Sequence, residues 1–79
     1  MDTKNADAEL DARHLTCPLP ILKAKKRLKD MAPGEVLRLL ATDPNTAEDA
    51  RLFADARGHE IVASTTENDV LTLLIRRGA

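Results

Sequence analysis

The 79-residue sequence contains no tryptophan or tyrosine, and its only aromatic residue is Phe53. Proteins that bind single-stranded nucleic acids stack the bases on aromatic side chains and carry a strongly basic balance, whereas this chain has a net charge of −1. The sequence therefore predicts no direct nucleic-acid binding. No apolar run approaches the roughly 18 residues of a membrane span, so no membrane association is expected either.

Cysteine is equally scarce, because Cys17 is the only one. A single cysteine excludes an internal disulfide, and the two histidines, His14 and His59, lie too far apart for the usual zinc spacings. The sequence thus predicts neither a metal site nor a cofactor. The polar start of the chain lacks the pattern of a secretory signal, and we expect a cytoplasmic protein.

The composition is that of a small globular domain, with 43% hydrophobic and 32% charged residues. Residues 1–7 are polar and predict a flexible leader, while residues 8–79 form the domain. Hydrophobic periodicity predicts strands over 8–12, 35–42, 59–66 and 70–77, and helices over 18–32 and 46–57. Right-handed crossovers then place both helices on one face of a four-stranded mixed sheet, a βαβαββ two-layer α/β sandwich.

The most informative segment surrounds Cys17, which directly precedes Pro18 at the start of an apolar, lysine-rich helix. Proline is favoured at the first helical position, so Cys17 is predicted to be the N-cap, with Pro20 stiffening the same turn. The positive end of a helix stabilises a thiolate, and we expect a thiol pKa below the ordinary value of about 8.5. A lone cysteine can also be a packing residue, and that alternative stays open.

The tetrapeptide Cys17-Pro18-Leu19-Pro20 resembles the CPxP motif of the TusA/SirA-type sulfur-carrier family. The resemblance covers nearly the whole chain in the order expected of that family. Its further segments are Leu10-Asp11-Ala12-Arg13, Met31-Ala32-Pro33-Gly34-Glu35, Thr42-Asp43-Pro44 and Gly58-His59-Glu60. The resemblance implies the same two-layer fold.

The resemblance also implies a function, in which Cys17 accepts sulfane sulfur as a persulfide. The donor would be a cysteine desulfurase or a rhodanese-like protein, and the acceptor a DsrE-like or other cysteine-bearing protein. In the family, the sulfur serves tRNA thiolation, molybdenum-cofactor sulfuration or sulfur oxidation. The alternative from a different class is a non-catalytic regulatory module that binds protein or RNA.

Basic residues crowd the predicted first helix, and they are either solvated surface or a partner-binding face. The predicted partner-binding residues are Arg13, Lys23, Lys26 and Arg27. His14 stands where the family usually has glycine, and it is either a turn residue or a base for Cys17. His59 is expected to be structural because it follows Gly58, a residue suited to ending a helix.

Overall fold

The computed structural model describes residues 6–78 as a four-stranded sheet covered on one face by two helices. The sheet order is β1-β2-β4-β3, in which β1 and β2 are parallel and the other neighbours are antiparallel. The elements are β1 (Ala8–Ala12), α1 (Leu19–Lys29), β2 (Val36–Ala41), α2 (Thr46–Arg57), β3 (Glu60–Glu67) and β4 (Val70–Arg76). The predicted fold class and element order are confirmed.

Alternation along the strands separates a buried face from a half-exposed one. Leu37, Leu39, Leu73 and Ile75 are at most 1% exposed and pack against the helices, together with Leu28 of α1. Their alternation at a period of two is what directs all of them to one face of the sheet. The opposite face carries half-buried aliphatic side chains. These are Val36, Leu40, Val70 and Leu74.

Helix α1 is shorter at both ends than the predicted span of 18–32. At its end, the N–H of Asp30 donates to the Arg27 carbonyl at 3.1 Å, and the N–H of Met31 donates to the Leu28 carbonyl at 3.0 Å. These tighter bonds close the last turn, so Met31 stays buried although it lies outside the helix.

The strand bounds predict a three-residue turn over 67–69, whereas the loop between β3 and β4 has two residues because Glu67 belongs to β3. Asn68 and Asp69 have φ values of 53° and 66°, and Glu67 pairs with Val70 on either side. Two left-handed residues in succession give a loop whose twist matches that of the flanking strands. The short polar loop therefore fixes the register of the hairpin, and with it the burial of the alternate residues of β4.

His59 follows the end of α2, and its contacts are those of a structural residue, as the sequence favours. Gly58 ends the helix in the left-handed region with φ 76°, and the N–H of Gly78 donates to Nδ1 of His59 at 2.9 Å. The His59 ring also packs against Phe53, with ring centroids 5.2 Å apart. Burial, followed by the charges of Arg77 and Arg57, lowers the His59 pKa from its ordinary value.

Most of the predicted leader, residues 1–5, lies outside the described residues. Asp7 is hydrogen-bonded to Val36 in both directions, through its own N–H at 2.8 Å and through its carboxylate at 2.9 Å. In the described part of the chain, neither helix is long and apolar enough to cross a membrane.

Candidate active site around Cys17

Parallel pairing of β1 with β2 brings the carboxyl ends of both strands to one edge of the sheet, where Ala12 lies opposite Ala41. The loop that leaves β1 therefore runs beside the loop that leaves β2. Two hydrogen bonds join the loops: His14 N–H to Thr42 Oγ1 at 2.8 Å, and Cys17 N–H to Asp43 Oδ2 at 2.6 Å. These bonds hold the backbone that leads into the cysteine to the residues that follow β2.

Cys17 is not the N-cap of α1, which corrects the sequence prediction. The first i to i−4 bond of the helix runs from Leu22 N–H to the Pro18 carbonyl at 3.0 Å, so Pro18 occupies the cap with φ −102°. A preceding turn, from Leu19 N–H to the Thr16 carbonyl at 2.8 Å, encloses Cys17. Its peptide bond to Pro18 is cis. Pro20 is buried at the second helical position, where no N–H is needed.

The exposed thiol of Cys17 donates a hydrogen bond to Oδ2 of Asp49, with a sulfur-to-oxygen distance of 2.7 Å. That bond raises the thiol pKa above its ordinary value, and desolvation and the negative charges of Asp49 and Asp43 add to it. The expected lowering is therefore wrong. Because Pro18 caps the helix, the sulfur is removed from the first helical N–H groups, whereas two carboxylates act on it directly.

Asp43 organises the loop with both of its carboxylate oxygens. Oδ2 accepts from Cys17 N–H, and Oδ1 accepts from Asn45 N–H at 2.9 Å. The bond from Asn45 and then the bond from Cys17 lower the Asp43 pKa. Asn45 is the N-cap of α2 but makes no side-chain cap bond, and the buried hydroxyl of Thr46 has no hydrogen-bond partner within the described residues. The aspartate upstream supplies the acceptor instead.

The four predicted partner-binding residues separate into two groups. The Arg13 guanidinium is held by Asp11, through Nε at 2.9 Å and Nη2 at 2.8 Å, which raises the Arg13 pKa and lowers that of Asp11. The other three line one shallow depression of about 230 Å³ on α1, which Arg13 does not reach. We call these three the basic group: Lys23, Lys26 and Arg27.

His14 is not a hydrogen-bond partner of Cys17 within the described chain, since the thiol and the amide of Cys17 both bond to aspartates. Its φ of 71° is the left-handed conformation that glycine adopts most readily. His14 is thus a turn residue. Among residues 6–78, no group of three or more His, Cys, Asp or Glu side chains is arranged to hold a metal ion.

Two carboxylates at the sulfur, and two exposed leucines of the helix that follows it, were not predicted as site residues. Leu19 and Leu22 are 43% and 51% exposed on α1, the helix that begins two residues after Cys17. Asp43 and Asp49 supply the carboxylates. Asp43 was detectable, because the carboxyl ends of adjacent parallel strands meet at one edge of a sheet. Asp49 could not be predicted as a site residue, because only the packing of α2 brings it to Cys17 and no local pattern predicts that packing.

Comparison with known proteins relates the whole described domain to one family. Residues 8–77 match the family model described as sulfurtransferase TusA. The sulfur carrier protein TusA of Allochromatium vinosum is 46% identical over 71 residues, which cover 90% of this chain and 93% of that protein. The sulfur carrier protein TusA of Pseudomonas aeruginosa is 39% identical over 77 residues, 98% of each chain. YrkF of Bacillus subtilis is 44% identical over 69 residues, and the match spans only 37% of that longer protein.

The fold is shared with a solved structure of a SirA-like protein from Desulfitobacterium hafniense. The two superpose with a TM-score of 0.81, covering 91% of this chain and 99% of the other at 24% identity. The CPxP segment also stands at the sheet edge to which the described loops converge. The family model and the full-length relatives together show that the chain belongs to the TusA family of sulfur carriers.

Proposed function

We propose that this protein carries sulfane sulfur as a persulfide on Cys17. The sulfur is taken from a cysteine desulfurase or a rhodanese-like donor and is passed to a DsrE-like or other cysteine-bearing acceptor. The observation that supports this most strongly is the position of the thiol. It is exposed, it is the only thiol of the chain, and its backbone is tied to Asp43 at the sheet edge.

The loading step is a sulfur transfer without net oxidation. The Cys17 sulfur, as thiolate, attacks the terminal sulfur of the donor's persulfide and forms a new S–S bond. The donor's own S–S bond breaks, and its electron pair stays on the donor cysteine. The proton lost by Cys17 is balanced by protonation of that departing thiolate, so no oxidant or reductant is consumed. In unloading, the thiolate of the acceptor attacks the outer sulfur of the Cys17 persulfide. The S–S bond to Cys17 breaks, and Cys17 leaves as a thiolate.

The absence of a second cysteine from the sequence suits a relay. A neighbouring thiol would attack the inner sulfur of the persulfide and close a disulfide, which would release the cargo. With Cys17 alone, the persulfide persists until an external thiol attacks it. A carrier whose only cysteine must stay a free thiol between loadings suits a compartment that keeps thiols reduced, and we propose that the relay operates in the cytoplasm.

Partners need a surface beside the sulfur, and α1 offers one. Leu19 and Leu22 expose apolar side chains on the helix that follows Cys17, and the basic group lies further along that helix. An apolar centre with a charged margin is the usual composition of a transient protein interface. We propose that donor and acceptor use this surface in succession. The identity of the acceptor that removes the sulfur decides among tRNA thiolation, molybdenum-cofactor sulfuration and sulfur oxidation.

Intact-protein mass spectrometry after incubation with cysteine and a cysteine desulfurase, or with a rhodanese-like donor, tests the proposal. The native protein is expected to gain the mass of one sulfur atom, and a reductant should remove it. Cys17→Ser is the matched control, because its hydroxyl lacks the nucleophilicity of a thiolate, and it should gain nothing. An unchanged native mass with several competent donors would overturn the carrier function and favour a binding module.

A further inference from the structure

Two carboxylates act on the Cys17 sulfur. Asp49, in α2, accepts the thiol hydrogen bond, and Asp43, in the loop after β2, adds a second negative charge. A sulfur that must ionise in order to attack is therefore surrounded by charges that disfavour its ionisation.

We propose that Asp49 is a positioning residue that keeps the thiol of the empty carrier protonated, so that the sulfur becomes reactive only when a partner displaces this hydrogen bond. The inference rests on the proposed persulfide function of Cys17. Its basis is geometric. The sulfur lies 2.7 Å from Oδ2, and the Asp49 backbone is fixed in the first turn of α2 by a bond to the Asn45 carbonyl at 3.1 Å.

The backbone around the sulfur leaves the side chain of Cys17 as the movable part. The Cys17 amide is held by Asp43, and Pro18 follows it directly, so the loop cannot easily shift away from α2. Rotation of the Cys17 side chain is enough to break the bond to Asp49. The switch between a bonded and a free sulfur therefore needs no change of the fold.

The negative charge of Asp49 determines which side chain of a partner could displace its hydrogen bond to Cys17. A lysine or arginine of the partner that pairs with the Asp49 carboxylate removes the acceptor and stabilises the thiolate at the same time. The basic group of this chain lines a depression of α1 that neither Cys17 nor Asp49 lines. We therefore expect the donor to present a cationic side chain beside its own reactive cysteine. Electrostatic matching of this kind selects partners more than it raises affinity.

The same carboxylates act in the opposite sense on the loaded carrier. The outer sulfur of a persulfide lies about 2 Å beyond Sγ, the length of an S–S bond. As an anion, it is repelled by Asp49 and Asp43 and turns towards solvent, where an acceptor can reach it. The empty thiol is thus held against α2, and the loaded sulfur is directed outwards.

The rate of alkylation by iodoacetamide, measured against pH, tests the role of Asp49. Asp49→Asn should react about tenfold faster than the native protein near neutral pH, with the midpoint of the profile shifted down by about one unit. Asp55→Asn is the matched control, since Asp55 is an exposed aspartate of the same helix, and it should follow the native profile. The same midpoint for native protein and Asp49→Asn would overturn the inference.

A measurement on the native protein keeps the inference testable if Asp49→Asn fails to fold. In a carbon-13 titration, the carboxyl resonance of Asp49 should move at the pH where the Cβ resonance of Cys17 reports ionisation of the thiol. A carboxyl resonance that is insensitive to that ionisation would contradict the proposal.

Loading by a sulfur donor separates this inference from the proposed function. In Asp49→Asn, alkylation should become about tenfold faster, which is the gain in free thiolate for one unit of pKa, while loading by the donor stays the same. The ratio of the loading rate to the alkylation rate should therefore fall by about tenfold. If the native protein takes up no sulfur, the proposed function fails. If it takes up sulfur while this ratio is unchanged in Asp49→Asn, only the role of Asp49 fails.

Discussion

The N–H of His14 donates to the hydroxyl of Thr42 at 2.8 Å, and His14 has a φ of 71° at this bond. A side chain in the left-handed region costs about 1 kcal/mol, and glycine avoids that cost while losing about 0.5 kcal/mol or more in backbone entropy. His14→Gly should therefore stabilise the protein by about 0.5 kcal/mol and raise Tm by a few degrees. Thermal unfolding followed by circular dichroism measures the change.

His14→Ala is the control for this prediction. It removes the imidazole as His14→Gly does, but it keeps a Cβ in the left-handed region, so its Tm should not exceed that of the native protein. Equal Tm values for the two variants would mean that the imidazole, and not the backbone conformation, determines stability at this turn.

A second prediction concerns Asp43, whose two oxygens accept from the N–H groups of Cys17 and Asn45. Asparagine has one side-chain oxygen, so Asp43→Asn leaves one of these donors without its acceptor. The amide of Cys17 or of Asn45 should then exchange hydrogen faster, and Tm should fall by a few degrees. Amide exchange followed by NMR assigns the effect to one of the two donors.

The effect of Asp43 should depend on pH in a definite direction. Its pKa is lowered in the folded protein, so its stabilisation is complete above the ordinary carboxyl pKa of about 3.9 and is lost as the pH falls through the lower folded value. The difference in Tm between native protein and Asp43→Asn should be constant near neutral pH and shrink in acid. A difference that grows on acidification would contradict this assignment.

The elements of the fold were predictable because their information is local. Strand β1 was predicted with its observed bounds, and the strand predicted over 70–77 contains the alternating buried residues Leu71, Leu73 and Ile75 of β4. Each such pattern repeats within a few residues and is satisfied by one sheet face. Gly58 likewise ends α2 by a property of its own backbone.

The environment of the sulfur could not be predicted in the same way. Asp49 lies 32 residues from Cys17 in sequence, and only the packing of α2 brings the two together. The local rule that places proline at the first helical position also failed at Pro18, because the turn from Thr16 to Leu19 delays the helix by one residue. The expected low thiol pKa depended on both points, which is why that expectation was wrong.

A third prediction concerns the apolar surface beside the sulfur. Leu19→Ser with Leu22→Ser should raise the KM for the carrier in sulfur transfer from a desulfurase by about tenfold, because exposed leucines contribute to binding and not to the core. Tm should change little. Leu52→Ser is the matched control, since Leu52 is 54% exposed on α2. An equal loss of transfer in Leu52→Ser would show that the surface of α1 is not specific.

The last prediction concerns the basic group, Lys23, Lys26 and Arg27, which lines one depression on α1. Replacing all three with glutamine should slow association with a sulfur donor or acceptor by about tenfold at low salt, since charges at the margin of an interface act mainly on the association rate. The difference should disappear near 1 M salt, where the screening length falls to about 3 Å. Stopped-flow association against ionic strength measures both effects.

A matched control removes three other cations, Lys25, Lys29 and Arg57, which line a separate depression of about 580 Å³ beside His59. Both variants change the net charge from −1 to −4, so any general effect of charge is the same in the two. If the basic group steers partners to Cys17, its variant should associate more slowly than the control at every low ionic strength. Equal slowing would assign the effect to net charge, and no slowing in either variant would mean that the basic group is solvated surface without a role in association.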